Sequence, residues 1–163
     1  MQRDTVIAKM DELVYAKTKP FCYTCYREAE VIDDYARCLK CGSDDLMRLW
    51  PGYGCEYGTE TFYRPLLDAL DSQRAEADLS DDWWEEIETS AYGQITIAGI
   101  TWDTGHVLRE LDPIAFQCGK LDYIASLEED GEVIEVGDQH YWVSQLEDVL
   151  DEALEEANTP AEA

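Results

Sequence analysis

The chain has 163 residues, 45% of them hydrophobic and 11% aromatic, enough to bury the core of one compact domain or two small ones. A net charge of −25 repels nucleic-acid phosphates and anionic lipid, so direct nucleic-acid binding is not expected and partners of the bulk surface should be basic. No stretch approaches the roughly 20 apolar residues that cross a bilayer. The N-terminus MQRDTVIAKMDEL carries charges where a secretory signal needs an apolar run, which predicts a cytoplasmic protein with no membrane partner.

The acidity is unevenly placed. Residues 1–51 hold nine acids and eight bases, whereas residues 52–163 hold 28 acids against Arg64, Arg74, Arg109 and Lys120. A salt-adapted chain would spread its charge over every surface, so the asymmetry points to two parts with two roles. The expected organisation is an α+β protein: residues 1–51 form an N-terminal helix and a cysteine-rich module, residues 52–157 an acidic domain of β-hairpins and capped helices, and residues 158–163 a disordered tail.

In chain order, Val6, Ile7, Met10, Leu13 and Val14 fall on one helical face, with Asp4 or Thr5 as cap and Pro20 beyond the end. AEVIDDYARC and LMRLW read as strands, and the glycine-rich WPGYGCEYG as the connector at the boundary. TETFYRPLLDALDSQRAEADL predicts a second helix with Pro65 in its first turn and Leu66, Leu67, Leu70 and Leu79 on its apolar face. QITIAGITW predicts a hairpin turning at Ala98 and Gly99, followed by a short helix from Asp103 or Thr104. Asp112 and Pro113 open a stronger helix with Ile114, Phe116, Cys118, Leu121, Ile124 and Leu127 as its apolar residues. EVIEVGDQHYWV predicts a second hairpin, turning at Gly137 and Asp138. Ser144 and Glu147 form a capping box for a last helix whose inner stripe is Leu146, Val149, Leu150, Ala153 and Leu154.

Cys22 and Cys25 are separated by two residues, Cys38 and Cys41 likewise, with twelve residues between the pairs. Each pair on a tight turn lets two thiolates converge on one ion at about 2.3 Å, and the intervening chain is long enough for a hairpin that joins the turns. The segment from Phe21 to Leu49 resembles a zinc ribbon. The resemblance implies that Cys22, Cys25, Cys38 and Cys41 are all metal ligands and that the ion is a structural Zn2+, since four protein ligands leave no open position. Cys55 and Cys118 lie outside the pattern and read as small buried hydrophobes. Arg27, Arg37, Lys40 and Arg48 beside Tyr23, Tyr26 and Tyr35 are balanced by neighbouring acids and read as a mixed surface.

His106 and His140 stand in no catalytic pattern, no phosphate-binding glycine loop is visible, and the chain is read as a non-enzyme. Three acidic rows are the candidate partner surface: Asp81, Asp82, Glu85 and Glu86; Glu128, Glu129 and Asp130; and Glu147, Asp148, Asp151, Glu152, Glu155 and Glu156. Trp83 and Trp84 diverge by about 100° on a helix or point to opposite faces of a strand, so one of them is expected outside the core as a partner contact. The rows DDWWEEIE, EEDGEVIEVGD and LEDVLDEALEE resemble the acidic DNA mimics, encoded by phages and mobile elements, that inhibit CRISPR or restriction complexes. That resemblance implies a basic nucleic-acid-binding target, no catalysis, and often a homodimer. The alternative is a zinc-ribbon adaptor that recruits a basic partner in transcription or mobile-element maintenance.

Overall fold

The computed structural model describes residues 2–30 and 37–159 of an α+β protein. Its elements are α1 (Gln2–Lys17), β1 (Lys19–Cys22), β2 (Arg27–Glu28), β3 (Leu46–Trp50), β4 (Gly54–Glu56), α2 (Tyr63–Ala69), α3 (Asp81–Tyr92), β5 (Gln94–Ile97), β6 (Ile100–Asp103), α4 (Thr104–Leu111), α5 (Pro113–Asp130), β7 (Val133–Val136), β8 (Gln139–Trp142) and α6 (Val143–Asn158). They divide into two compact units, the first made of residues 1–75 with 144–163 and the second of residues 76–143.

The first unit is built on an antiparallel sheet of order β2-β1-β3-β4. Val6, Met10, Leu13 and Val14 of α1 are buried as the helical spacing predicts, while the helix already begins at Gln2, which leaves Asp4 in its first turn. Arg48 of β3 closes the other end of α1: its guanidinium donates to the Tyr15 carbonyl at 3.0 Å and the Thr18 carbonyl at 2.9 Å and covers the Tyr15 ring at 4.3 Å. A cation at a helix C-terminus is where the macrodipole favours it. Arg48 is therefore committed inside the unit.

Three boundaries differ from the sequence reading. WPGYGCEYG is not a connector: its Gly54–Glu56 segment is β4, paired to β3 with Leu49 opposite Cys55 and Trp50 opposite Gly54, and Gly52 at φ 91° makes the turn between them. The expected division at residue 51 thus falls inside a hairpin. The long second helix is instead a 3-10 turn at Glu60–Phe62, the seven residues of α2, and another 3-10 turn at Gln73–Ala75. The Ser72 hydroxyl donates to the Leu67 carbonyl at 2.8 Å and Leu70 is extended, so a side chain takes over a carbonyl that a continuing helix would have used. Finally, α6 starts at Val143, so Ser144 lies inside the helix. Glu147 accepts from Lys9 at 2.9 Å and from Gln2 at 3.1 Å rather than closing a capping box.

From Ser144 onward α6 belongs to the first unit, with Leu146, Val149 and Leu150 buried and Lys9 bridging Glu147 and Asp151. α6 runs to Asn158, and the Thr159 hydroxyl donates to the Glu155 carbonyl at 2.8 Å, so helical order reaches into the expected tail. Residues 160–163 and most of the expected strand AEVIDDYARC lie outside the described residues.

The second unit follows its local signals closely. Ser80 caps α3 by accepting from the Trp83 amide at 3.3 Å, and Asp112 caps α5 by accepting from the Ala115 amide at 3.0 Å. The two hairpins turn where predicted, at Ala98 and Gly99 (φ 52° and 82°) and at Gly137 and Asp138. α5 divides its apolar residues between two faces: Phe116 and Leu127 are buried, whereas Ile114, Leu121 and Cys118 are exposed. Cys118 is therefore no buried hydrophobe, and Cys55 is only half-buried. Among the described residues no helix is long and apolar enough to cross a membrane.

Candidate metal centre and acidic surface

β1 delivers Cys22 into a turn, Tyr23–Tyr26, in which the Cys25 amide donates to the Cys22 sulfur at 3.4 Å. Cys38 opens the second turn, its carbonyl accepting from the Gly42 amide at 2.7 Å. The residue after each pair takes the left-handed conformation, Tyr26 at φ 53° and Gly42 at φ 73°. The Thr24 and Ser43 hydroxyls, 3.0 Å apart, tie the two turns together.

This framework gathers the four sulfurs within 4.8 Å of one another, with Cys22 to Cys41 at 3.7 Å and Cys25 to Cys38 at 3.9 Å. Four thiolates on a tetrahedron about 2.3 Å from its centre stand about 3.8 Å apart, so the residues fit one ion. The thiols are not equivalent. Hydrogen bonding to the Cys41 thiol, with burial, pushes Cys25 up to about 12. The backbone amides of Cys41 and Lys40 bring Cys38 down to about 7. An ion held by four thiolates must displace the protons of the thiols it binds. With four protein ligands and no open position, the chemistry of such a centre is cross-linking of the chain.

The acidic rows are less uniform than their sequence implies. In α3, Asp81 accepts from Lys120 at 2.7 Å and Gln117 at 3.0 Å, Asp82 pairs with Arg109 at 2.8 Å, and Glu85 pairs with Arg109 at 3.2 Å. The Lys120 ammonium and the Gln117 amide hold the Asp81 carboxyl below the usual carboxylate range. Glu86 lies exposed on the same helix. Trp84 is buried, 5% exposed, with its ring 5.3 Å from that of Tyr123; Trp83 is half-buried against the same ring at 5.9 Å. Trp84 is therefore core rather than a partner contact.

At the end of α5, Glu128 lies 3.4 Å from His140 and shares a small cluster with Glu135, while Glu129 and Asp130 are exposed. On α6, Glu147 and Asp151 pair with Lys9 and Glu152 pairs with Arg74, whereas Asp148, Glu155 and Glu156 occupy exposed positions. The pairing of Arg109 and Lys120 with α3 escaped the sequence reading because both cations come from other helices. Their four-residue-scale neighbours along the chain gave no sign of it.

No protein-family model, curated protein or solved structure matches the chain.

Proposed function

We propose that this chain is a non-catalytic adaptor, cross-linked by zinc at Cys22, Cys25, Cys38 and Cys41, that recruits a basic nucleic-acid-binding protein to its second unit. All-thiolate tetrahedral sites favour zinc or iron, and a closed centre in a small sheet matches the structural use of zinc.

The observation that carries the reading is the charge of residues 76–143: 17 acids against Arg109 and Lys120, both of which are already paired with α3. Glu128, Glu129 and Asp130 fill the last turn of α5, which has no basic residue, at the end where the helix dipole disfavours anions. Carboxylates kept where they cost stability are accounted for by a basic partner that offsets them.

Inhibition by DNA mimicry is the second reading, favoured by the exposed Asp148, Glu155 and Glu156 on α6. It is weakened by the ion pairs that neutralise Glu147, Asp151 and Glu152 in the same row. A pull-down from a host lysate, with duplex DNA added as competitor, separates the two. An adaptor retains a basic partner together with the DNA; a mimic loses its partner to the DNA. Recovery of no basic protein at low salt would end both readings.

A further inference from the structure

The two hairpins of the second unit share a plan: four-residue strands, a two-residue turn, and a helix that begins at once. Their surroundings are opposite. The apolar residues of β7 and Tyr141 of β8 are at most 6% exposed, the burial a hairpin of β-branched and aromatic residues normally obtains. The apolar residues of β5–β6 are all open to solvent, from 41% at Ile95 and Trp102 to 57% at Ile100. Every position of both strands is exposed.

Between this hairpin and α4 runs a groove of about 340 Å3 lined by Ile97, Trp102, His106, Val107, Glu110 and Leu111. Its wall is organised. The His106 ring stacks on Trp102 with centroids 6.1 Å apart and planes at 9°, and its Nδ1 lies 3.4 Å from Glu85. Val107 and Leu111, one turn apart on α4, supply the apolar side, and the exposed Glu110 marks the rim. Apolar walls edged by Glu110, in a unit with 17 acids against Arg109 and Lys120, are complementary to a helix that is apolar on one face and Lys/Arg-rich on its flanks. A second copy of the chain is a poor occupant, because it would bring another −25 against an already anionic unit.

We propose that the groove between β5–β6 and α4 is a docking site for a basic amphipathic helix of a partner protein, seated on Ile97, Trp102, Val107 and Leu111 with its cations toward Glu110. This rests on the recruitment of a basic partner and specifies how that partner is held. Bulk charge attracts it; the groove selects its shape.

The test uses the full chain and three fluorescent synthetic probes: a Leu/Lys peptide of about five helical turns with leucines on one face, a scrambled peptide of the same composition, and an oligolysine of equal charge. The amphipathic peptide should bind at least about tenfold tighter than either control, and Ile97→Asp or Trp102→Ala should remove about tenfold from its affinity alone. Because a variant can perturb folding, the unaltered chain is also titrated by NMR, where the Trp102 indole and the Val107 and Leu111 methyl resonances should shift. Equal affinity of all three probes, or binding that ignores both substitutions and leaves those resonances in place, overturns the groove while leaving the recruitment of basic partners intact. Failure of all three basic probes to bind at low salt would instead remove the broader reading.

Discussion

Gly105 of α4 lies directly against the backbone of Glu85 in α3. A Cβ at Gly105 would stand 2.2 Å from the Glu85 carbonyl oxygen and 2.9 Å from the Thr89 hydroxyl. The Gly105 amide donates to that same hydroxyl at 3.1 Å. The crossing of α3 and α4, and with it the reach of Arg109 to Asp82 and Glu85, therefore depends on the absence of a side chain.

Gly105→Ala should separate the two helices and destabilise the second unit by about 1–3 kcal/mol, the usual cost of overpacking where backbone must move. Denaturant unfolding followed by tryptophan fluorescence measures it. An unchanged midpoint would mean that the helices do not approach this closely.

Removing the metal should disorder the cysteine turns and their sheet. A purified chain should carry one equivalent of zinc, lose it to a strong chelator, and lose β-sheet signal with it, as should Cys38→Ser. The near-ultraviolet dichroism from Trp83, Trp84 and Tyr123, which pack on one another in the second unit, should persist. Retention of the sheet without metal would argue against a structural centre.

The left-handed residue after each cysteine pair gives a matched comparison. Gly42→Ala should cost about 1–2 kcal/mol because an L side chain is disfavoured at φ 73°. Tyr26→Gly relieves the same strain at φ 53° but removes an edge contact with Phe21 at 5.5 Å, so its net effect should be smaller. Thermal unfolding of the zinc-loaded protein compares them, and equal losses would refute the shared turn geometry.

Asp81 and Glu147 give the acid dependence its sign. Lys120 and Gln117 depress the first carboxyl below 3.8, and Lys9 and Gln2 depress the second below 4.5. A carboxyl depressed in the folded state contributes stability that is fully present above its unfolded value and is lost as pH falls through the lower folded value. Unfolding free energy should therefore decline as pH drops from about 4.5, and Lys120→Met or Lys9→Met should flatten that decline. If the variants keep the parent's slope, these ion pairs are not what titrates.

The local signals of the chain were legible where a short stretch contains its own physics. Two turns of the type Cys-x-x-Cys place their sulfurs by local geometry, so the four cysteines that the fold brings within 4.8 Å of one another are legible from spacing alone. Asp112 with Pro113, Ala98 with Gly99, and Gly137 likewise encode a cap and two turns within two or three residues. What the sequence could not state is which partner a group meets across the chain. The acids of α3 looked uncompensated because Arg109 and Lys120 stand more than twenty residues away, and α6 looked like part of the acidic half until Lys9 and Arg74 joined it to the first unit. Helical spacing marks an apolar row but not the surface that covers it. Phe116 and Leu127 were buried while Ile114 and Leu121 were left in solvent, and Trp84 was chosen over its neighbour Trp83. Burial and ion pairing are non-local and are decided only when elements pack, so the composition of each acidic row is written in the sequence, whereas which of its members are paired is decided by the tertiary structure.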